Sequence, residues 1–217
     1  MTRFPPLIRS RADVDAHLAA LLARDSRLVP IADRCGEVPL RILGAGYAGL
    51  VKIIVGQLLS VAAASAIHQR LEARLGVVTP EAMLAASEQD LRDLGLSRAK
   101  IKSLKSIATA LDAGHFDLGG LGVFDGDEAL RLLMDLPGVG RWTAEIYLIS
   151  ALGHPDCFPA GDLALRKVVR LVAAADDLPS EKEVRLIAEA WSPHRAVAAR
   201  LLWRYFAVLR DKEGISL

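Results

Sequence analysis

One short segment constrains the fold more than any other part of the chain. Residues 136–143 read Leu-Pro-Gly-Val-Gly-Arg-Trp-Thr, in which the proline ends one helix and the two glycines form a turn. The residues from Arg141 to Ala151 then have the pattern of a second helix. Such a turn presents backbone N–H groups at the positive end of a helix, where they can hold a phosphate. The alternative is an ordinary tight turn between two packed helices.

Helix signals recur along the whole chain, and they predict an all-α protein of about ten helices. No segment alternates polar and apolar residues in the way a half-buried strand would. Residues 113–127 are rich in Gly and Asp and are expected to form a long loop. The predicted helix starts are Asp13, Thr79-Pro80-Glu81, Ser87, Ser97, Ser180 with Glu183, and Ser192-Pro193.

Composition excludes some classes of function but does not identify one. The 217 residues are enough for one domain or two small lobes, and 52% of them are apolar, as in a globular protein. The net charge of +1 excludes a generally cationic nucleic-acid binder but not a local basic face. Such a face, or simply a solvated side of a helix, is indicated by four basic residues: Arg98, Lys100, Lys102 and Lys105.

Neither cysteine usage nor hydropathy indicates a metal centre or a membrane protein. Cys35 and Cys157 are far apart and lack the spacing of zinc or iron–sulfur ligands, so neither group is expected. The first residues carry no apolar run of the signal-peptide kind. The most apolar segment, Ile53 to Ile67, is too short to span a bilayer. We therefore expect a reduced cytoplasmic protein.

Asp162 is the candidate catalytic residue. It follows Phe-Pro-Ala-Gly at 158–161, a little over twenty residues after the glycine turn. An aspartate in this position is also a good N-cap for the helix that follows. The two interpretations are compatible, because a helix N-terminus favours the ionised carboxylate that would stabilise an oxocarbenium-like sugar.

These segments together resemble the helix–hairpin–helix DNA glycosylase superfamily and, within it, the 3-methyladenine DNA glycosylase II branch. The resemblance covers about residues 41–210. The motifs that carry it are Leu-Pro-Gly-Val-Gly-Arg-Trp-Thr-Ala at 136–144, Phe-Pro-Ala-Gly-Asp at 158–162, Ile-Val-Gly-Gln-Leu-Leu-Ser-Val-Ala-Ala-Ala at 54–64, and Trp-Ser-Pro-His-Arg at 191–195 followed by Leu202-Trp203.

The resemblance implies a role for each matching residue. Asp162 would be the catalytic carboxylate, and Leu58 would be a wedge that fills the gap left by an extruded nucleotide, although a buried core leucine is the alternative. Gln57 would touch DNA beside the wedge or cap a helix end. The phosphate would be held by the amides around Gly138 and Gly140 together with Thr143. A structural Na⁺ or K⁺ would be bound by the backbone carbonyls of Met134, Leu136 and Val139.

The aromatic residues bear on the reaction and on the lesion. Relatives that also cut the abasic site carry a lysine where this chain has Trp142, so no lyase activity is expected. Trp142 and Trp203 would form walls of the substrate pocket and attract cationic bases, and Tyr47 would approach the pocket or pack in the core. Ile146 and Leu163 stand where better-known relatives have tyrosine, which leaves the lesion preference open.

The resemblance also implies an architecture and a partner. We expect two lobes, a central one of about residues 44–160 and a second one formed by 1–43 and 161–217, with the active site in a cleft between them. The expected partner is double-stranded DNA containing damaged bases, acted on by a monomer that needs no cofactor and associates with a prokaryotic nucleoid. Uracil, hypoxanthine or ethenoadenine are alternative lesions, and a DNA-binding protein without catalysis is the alternative from another class.

Overall fold

The structure, a computed structural model, describes residues 5–213, the last two by their backbone only. Twelve α-helices and no β-strand occur within this range, which confirms the all-α prediction. The helices are α1 (Arg11–Arg24), α2 (Val29–Cys35), α3 (Tyr47–Gly56), α4 (Val61–Leu75), α5 (Pro80–Ala85), α6 (Glu88–Asp93), α7 (Arg98–Asp112), α8 (Gly126–Met134), α9 (Arg141–Tyr147), α10 (Leu163–Val172), α11 (Glu181–Glu189) and α12 (Arg195–Glu213).

The chain forms two compact units. The central unit is Leu43–Leu152 and contains α3 to α9, whereas the terminal unit combines the residues up to Ile42 with those from Gly153 onward. The central lobe was predicted to end at about residue 160, later than the observed end at Leu152. Backbone hydrogen bonds link the intervening residues to the terminal unit, since Ile8 N–H donates to the Gly153 carbonyl at 2.7 Å and Ala196 N–H donates to Pro155 at 2.9 Å.

Short polar side chains begin most of the helices, as predicted. Thr79, Ser87, Ser97 and Ser180 are N-caps whose hydroxyls accept a hydrogen bond from the backbone N–H three residues later. Each cap satisfies a donor that the first helical turn leaves without a partner. These caps, which local sequence alone encodes, explain why the helices start where they do.

Three helix boundaries differ from the prediction. The first helix is capped by Ser10, and Asp13 is the third residue of a capping box. The last helix begins at Arg195 and not at Ser192, because the Ser192 hydroxyl donates to Asp156 instead of capping a helix. After α9 the backbone continues as a π-helical segment over Leu148–Leu152, which no sequence signal indicated.

The core of each unit is apolar and closely packed. In the central unit α7 packs against α3, α5 and α6, and α9 packs against α3 and α8. In the terminal unit α12 packs against α1, α2 and α10, with Trp191 fully buried beside them. The predicted loop of residues 113–127 is confirmed up to the start of α8, with one 3-10 turn at Gly120–Val123.

Candidate DNA interface and catalytic aspartate

The glycine segment forms a helix–hairpin–helix in the central unit. Helix α8 ends at Met134, and the Val139 N–H donates to the Leu136 carbonyl at 3.1 Å to close the turn. Gly140 is the N-cap of α9 and has no side chain with which to cap it. No side chain therefore caps the start of α9, and an uncapped helix N-terminus of this kind is the arrangement that binds anions.

The two glycines of this hairpin are required for different reasons. Gly138 has a φ of +81°, and a Cβ there would lie 2.2 Å from the Ser103 Oγ. Gly140 has an ordinary φ of −83°, and a Cβ there would meet nothing within 4 Å. Gly138 thus serves the fold. Gly140 keeps the outer surface of the hairpin bare, so that a phosphate could approach the backbone closely.

The segment that resembles a DNA wedge is a turn between α3 and α4. We call residues 57–60 the wedge turn. Leu58 has a φ of +58° and is 104% exposed, so it is not a core leucine, and the alternative interpretation of this residue is wrong. A leucine held in the left-handed region, with its side chain in water, is unfavourable on both counts. Strained, exposed residues of this kind concentrate at binding sites.

Gln57 connects the wedge turn to the hairpin. Its Nε2 donates to the Thr143 Oγ1 at 2.7 Å, and its backbone is the C-cap of α3. Thr143 is 3% exposed, so its hydroxyl lies inside the central unit and is not presented on the open surface. The predicted contacts of both side chains with DNA stay predictions, whereas the expected capping of the helix end by Gln57 is confirmed.

The basic cluster on α7 divides into two kinds of residue. Lys100 Nζ donates to the carbonyls of Val55 and Gln57, both at 2.9 Å, and Lys105 Nζ donates to the carbonyls of Leu84 and Ala86. These two lysines therefore cap the C-terminal ends of α3 and α5. The exposed members of the predicted face are Arg98 and Lys102.

The aromatic candidates of the central unit occupy different environments. Trp142, the second residue of α9, is 37% exposed. Tyr47 is buried, and its hydroxyl donates to the Leu104 carbonyl at 2.9 Å, a placement that favours its core role over the substrate pocket. Sequence reasoning missed Tyr147, whose buried hydroxyl accepts from the Gly46 N–H at the start of α3. Burial raises the pKa of Tyr147 to about 12, so it remains a neutral hydroxyl.

Asp162 lies in the terminal unit as the N-cap of α10. Its Oδ1 accepts from the Leu165 N–H at 3.1 Å, and its side chain is half-buried. The carboxylate is therefore not hidden behind its own helix, and the predicted N-cap is confirmed. Trp203 is half-buried in the middle of α12. Leu163, the first residue of α10, is 54% exposed.

The Trp-Ser-Pro-His-Arg motif holds the loop that leads to Asp162. Arg195 Nε and Nη2 donate to the Asp156 carboxylate at 2.7 and 3.1 Å, and the Ser192 hydroxyl donates to the same carboxylate at 2.8 Å. Burial by itself would raise the pKa of Asp156, but these donors and the Arg195 charge outweigh it and lower the pKa below its ordinary value. Trp191 Nε1 donates to Asp25 at 2.9 Å.

Two histidines that are far apart in the sequence meet in the terminal unit. Nδ1 of His17 lies 3.0 Å from Nδ1 of His194, and Nε2 of His17 lies 3.2 Å from the Pro6 carbonyl. Because a carbonyl only accepts, Nε2 of His17 carries the hydrogen, and His194 donates to the remaining nitrogen of a neutral His17. The five histidines showed no paired spacing in the sequence, so this pair was not predicted.

Neither a metal-ligand cluster nor a membrane-spanning helix occurs in the described part of the chain. Within residues 5–213, no group of three or more His, Cys, Asp and Glu side chains is arranged to hold a metal ion. Cys35 and Cys157 are both buried thiols, and burial raises the pKa of Cys35 to about 11. Among the helices of this range, none combines the length and the apolarity that crossing a bilayer requires.

The described residues combine an all-helical fold with a helix–hairpin–helix and, after it, an N-capping aspartate. The family model described as "HhH-GPD superfamily base excision DNA repair protein" matches residues 51–194. This chain therefore belongs to the HhH-GPD superfamily of base excision DNA repair proteins.

The chain is also similar to individual proteins over most of its length. It is 29% identical to DNA-3-methyladenine glycosylase 1 of Schizosaccharomyces pombe over 202 residues, which are 91% of this chain and 89% of that protein. A solved structure of the S. pombe 3-methyladenine DNA glycosylase in complex with abasic DNA aligns with a TM-score of 0.77 at 30% identity, covering 88% of this chain and 95% of that one. For the DNA-3-methyladenine glycosidase of Bacillus halodurans the TM-score is 0.80 at 29% identity, with 90% and 91% covered.

Proposed function

We propose that this protein is a monofunctional DNA glycosylase that flips alkylated purines of the 3-methyladenine type out of duplex DNA and excises them, leaving an abasic site. The observation that carries the proposal is the half-buried carboxylate of Asp162 at the start of α10, in a chain that belongs to a base excision repair family. The similarity to 3-methyladenine glycosylases over about nine-tenths of the chain supports the choice of lesion.

The chemistry requires a negative charge beside the sugar as the base leaves. When the bond between C1′ and the purine nitrogen breaks, its electron pair goes to the base, and positive charge develops on the sugar. The N-terminus of α10 favours the ionised form of Asp162, which would stabilise that charge and orient a water molecule. The water adds its oxygen to C1′ and releases a proton, which yields an abasic sugar.

The lesion class follows from the leaving group. A purine alkylated at N3 or N7 is cationic, and it leaves as a neutral base without a strong general acid. The exposed face of Trp142 offers an electron-rich surface to such a cation, as aromatic rings commonly do. Trp203 and Tyr47 were also expected at this pocket. Because the Tyr47 hydroxyl donates to a carbonyl of α7 in the core, Tyr47 would support the pocket wall and would not touch the base.

The contacts that hold the DNA would come from the central unit. The N–H groups at the start of α9, next to Gly138 and Gly140, would bind one phosphate without reading a base. Leu58 would enter the space of the extruded nucleotide, for which its full exposure is suited. A bound Na⁺ or K⁺ would fix the hairpin backbone. Backbone carbonyl oxygens suit such a hard cation, and Met134, Leu136 and Val139 lie between the end of α8 and the start of α9.

Strand cleavage is not part of the proposal. An indole cannot form the Schiff base that a lysine forms with the sugar, and Trp142 occupies that position. The product DNA should therefore keep an intact backbone until heat and alkali cleave the abasic site. The protein would act as a monomer in the cytoplasm, where its DNA substrate is found. The reducing conditions there would keep its two buried cysteines as free thiols.

The test is base release by Asp162→Asn. Asparagine keeps the capping hydrogen bond but not the charge, so release of 3-methyladenine from alkylated duplex DNA should fall by about 10²-fold or more, with binding to abasic DNA preserved. The matched control is Asp125→Asn, which makes the same change at the N-cap of α8. Equal activity of Asp162→Asn and wild type would contradict the assignment.

A panel of defined lesions separates the alternatives. Release of uracil, hypoxanthine or ethenoadenine in preference to alkylated purines would keep the enzyme and change its substrate. Binding of abasic duplex without release of any base would favour a DNA-binding protein that lacks catalysis.

A further inference from the structure

We propose that Lys100 is a positioning residue for base extrusion, which acts by holding the wedge turn so that Leu58 enters the duplex at the right depth. This inference rests on the proposed function and extends it to a residue that lies outside the predicted site. Lys100 lies on α7, more than forty residues from the turn in sequence.

The first observation is the bond pattern at the end of α3. The carbonyls of a last helical turn have no partner within the helix, and a positive charge there is favourable. Lys100 Nζ supplies both a donor and a charge, at 2.9 Å from the Val55 carbonyl and 2.9 Å from the Gln57 carbonyl. The second of these carbonyls belongs to the residue immediately before Leu58.

The second observation is that Leu58 cannot position itself. Its side chain is fully exposed, so no packing contact determines where it points. Its φ of +58° is costly for leucine and persists only if neighbouring contacts enforce it. The enforcement must therefore come from the backbone on either side of the residue. The Leu59 N–H donates to the Gly56 carbonyl at 3.3 Å across the turn, and the bonds of Lys100 hold the backbone on the N-terminal side.

The third observation is a hydrogen bond that ties the wedge turn to a different helix. Gln57 Nε2 donates to the Thr143 Oγ1 at 2.7 Å, which fixes the same residue to α9. Gln57 is thus held by its carbonyl to α7 and by its side chain to α9. The wedge turn and the hairpin helix are joined in one unit, so the depth of the wedge is set relative to the phosphate-binding amides.

An alternative role for Lys100 is a direct contact with a DNA phosphate. The side chain is half-buried, and burial lowers the pKa of its ammonium group. Its ammonium group is directed at the two carbonyls. A phosphate contact and a positioning role make opposite predictions for salt dependence, since a lysine that binds a phosphate contributes to counterion release.

The experiment compares Lys100→Met with Lys182→Met, which makes the same change at an exposed lysine of α11, outside the proposed DNA interface. Single-turnover release of 7-methylguanine is measured with the lesion paired in duplex DNA and with the lesion in a one-nucleotide bulge, where the base is already unpaired. For Lys100→Met we expect the paired rate to fall about tenfold and the bulge rate to stay within about twofold, because only the paired base needs extrusion. Lys182→Met should leave both rates unchanged.

Three results would overturn the proposal. An unchanged paired rate would show that the turn needs no help from Lys100, and an equal loss on both substrates would indicate a general structural role. A fall of about 1 in the salt slope of DNA binding would indicate a phosphate contact instead. If Lys100→Met does not fold, Lys100→Gln takes its place, because glutamine keeps a donor for the carbonyls. The ratio of its paired rate to its bulge rate is then compared with that of wild type.

A readout without turnover separates this inference from the proposed function. The fluorescence of 2-aminopurine placed next to an abasic site reports how far a wedge disturbs stacking, and it requires no base release. Lys100→Met should reduce the rise in fluorescence on binding, whereas Lys182→Met should not. A wild-type protein that released no base would refute the glycosylase proposal, and the fluorescence would still decide the role of Lys100.

Discussion

Arg195 Nε lies 2.7 Å from Oδ1 of Asp156, and this largely buried ion pair joins the start of α12 to the loop that leads into Asp162. We predict that Asp156→Ala lowers the free energy of unfolding by about 3 kcal/mol, because it leaves the Arg195 charge partly buried without its carboxylate. Urea denaturation of the two proteins measures the difference.

The double variant Asp156→Ala/Arg195→Met is the control for this pair. Replacing both charges by apolar groups removes the uncompensated charge, so the double variant should be more stable than Asp156→Ala alone. If the free energy of unfolding of Asp156→Ala lies within about 0.5 kcal/mol of the wild-type value, the ion pair contributes no more than an exposed one does.

The hairpin glycines give a matched pair of substitutions. Gly140→Ala should lower the free energy of unfolding by no more than about 1 kcal/mol, because its Cβ would enter open space and the loss is limited to a poorer N-cap. Its affinity for abasic duplex should nevertheless fall about tenfold, since the methyl group blocks the close approach of the phosphate. Fluorescence anisotropy and thermal denaturation measure the two quantities.

Gly138→Ala should lose stability as well as affinity. Its Cβ would overlap Ser103 in a backbone conformation with φ of +81°, so we expect a loss of about 2 kcal/mol or more. Equal stability of the two variants would contradict the separate roles assigned to these glycines.

Leu58→Gly should separate stability from activity. Glycine adopts a positive φ without strain, which recovers about 1–2 kcal/mol against an entropic cost of about 0.5–1 kcal/mol. The free energy of unfolding should thus be unchanged or slightly higher, while the rate of release of paired alkylated bases should fall about tenfold. Val77→Ala, which shortens an exposed apolar side chain outside the wedge turn, is the control and should leave release unchanged.

The histidine pair makes stability depend on pH. Burial lowers the pKa of both His17 and His194 below the ordinary value of 6.5. The folded protein then binds fewer protons than the unfolded chain, so the free energy of unfolding falls as the pH drops through about 6.5. Asp25, whose pKa is lowered to about 2 by its bonds with Arg27, loses its contribution only below about pH 4.

Thermal denaturation at about pH 7.5 and about pH 5.5 tests this pair. The loss of Tm between the two pH values should be smaller in His194→Gln than in wild type. It should not vanish, because burial also lowers the pKa of His68. An identical loss in both proteins would show that the pair does not contribute.

Local sequence predicted the parts of the structure that local physics determines. The caps at Thr79, Ser87, Ser97 and Ser180 depend on a hydroxyl and the N–H three residues away, and all four were predicted. The hairpin was predicted from its glycines for the same reason, and the N-cap at Asp162 likewise.

Contacts between distant residues were not predicted. Lys100 and Lys105 were interpreted as a basic face, yet both donate to carbonyls of other helices, over sequence separations of 19 to 45 residues. Nothing in the sequence near a lysine tells which carbonyls the fold will bring within its reach. The pairing of His17 with His194 and of Gln57 with Thr143 was missed on the same grounds.

The terminal unit is built from both ends of the chain, and this has a consequence for synthesis. Helix α12 covers α1 and α2, but the ribosome makes it only after the whole central unit. At ordinary elongation rates the apolar sides of α1 and α2 wait on the order of ten seconds for their partner. A nascent chain of this protein therefore emerges with its first two helices uncovered, and translation must finish before they are protected from aggregation.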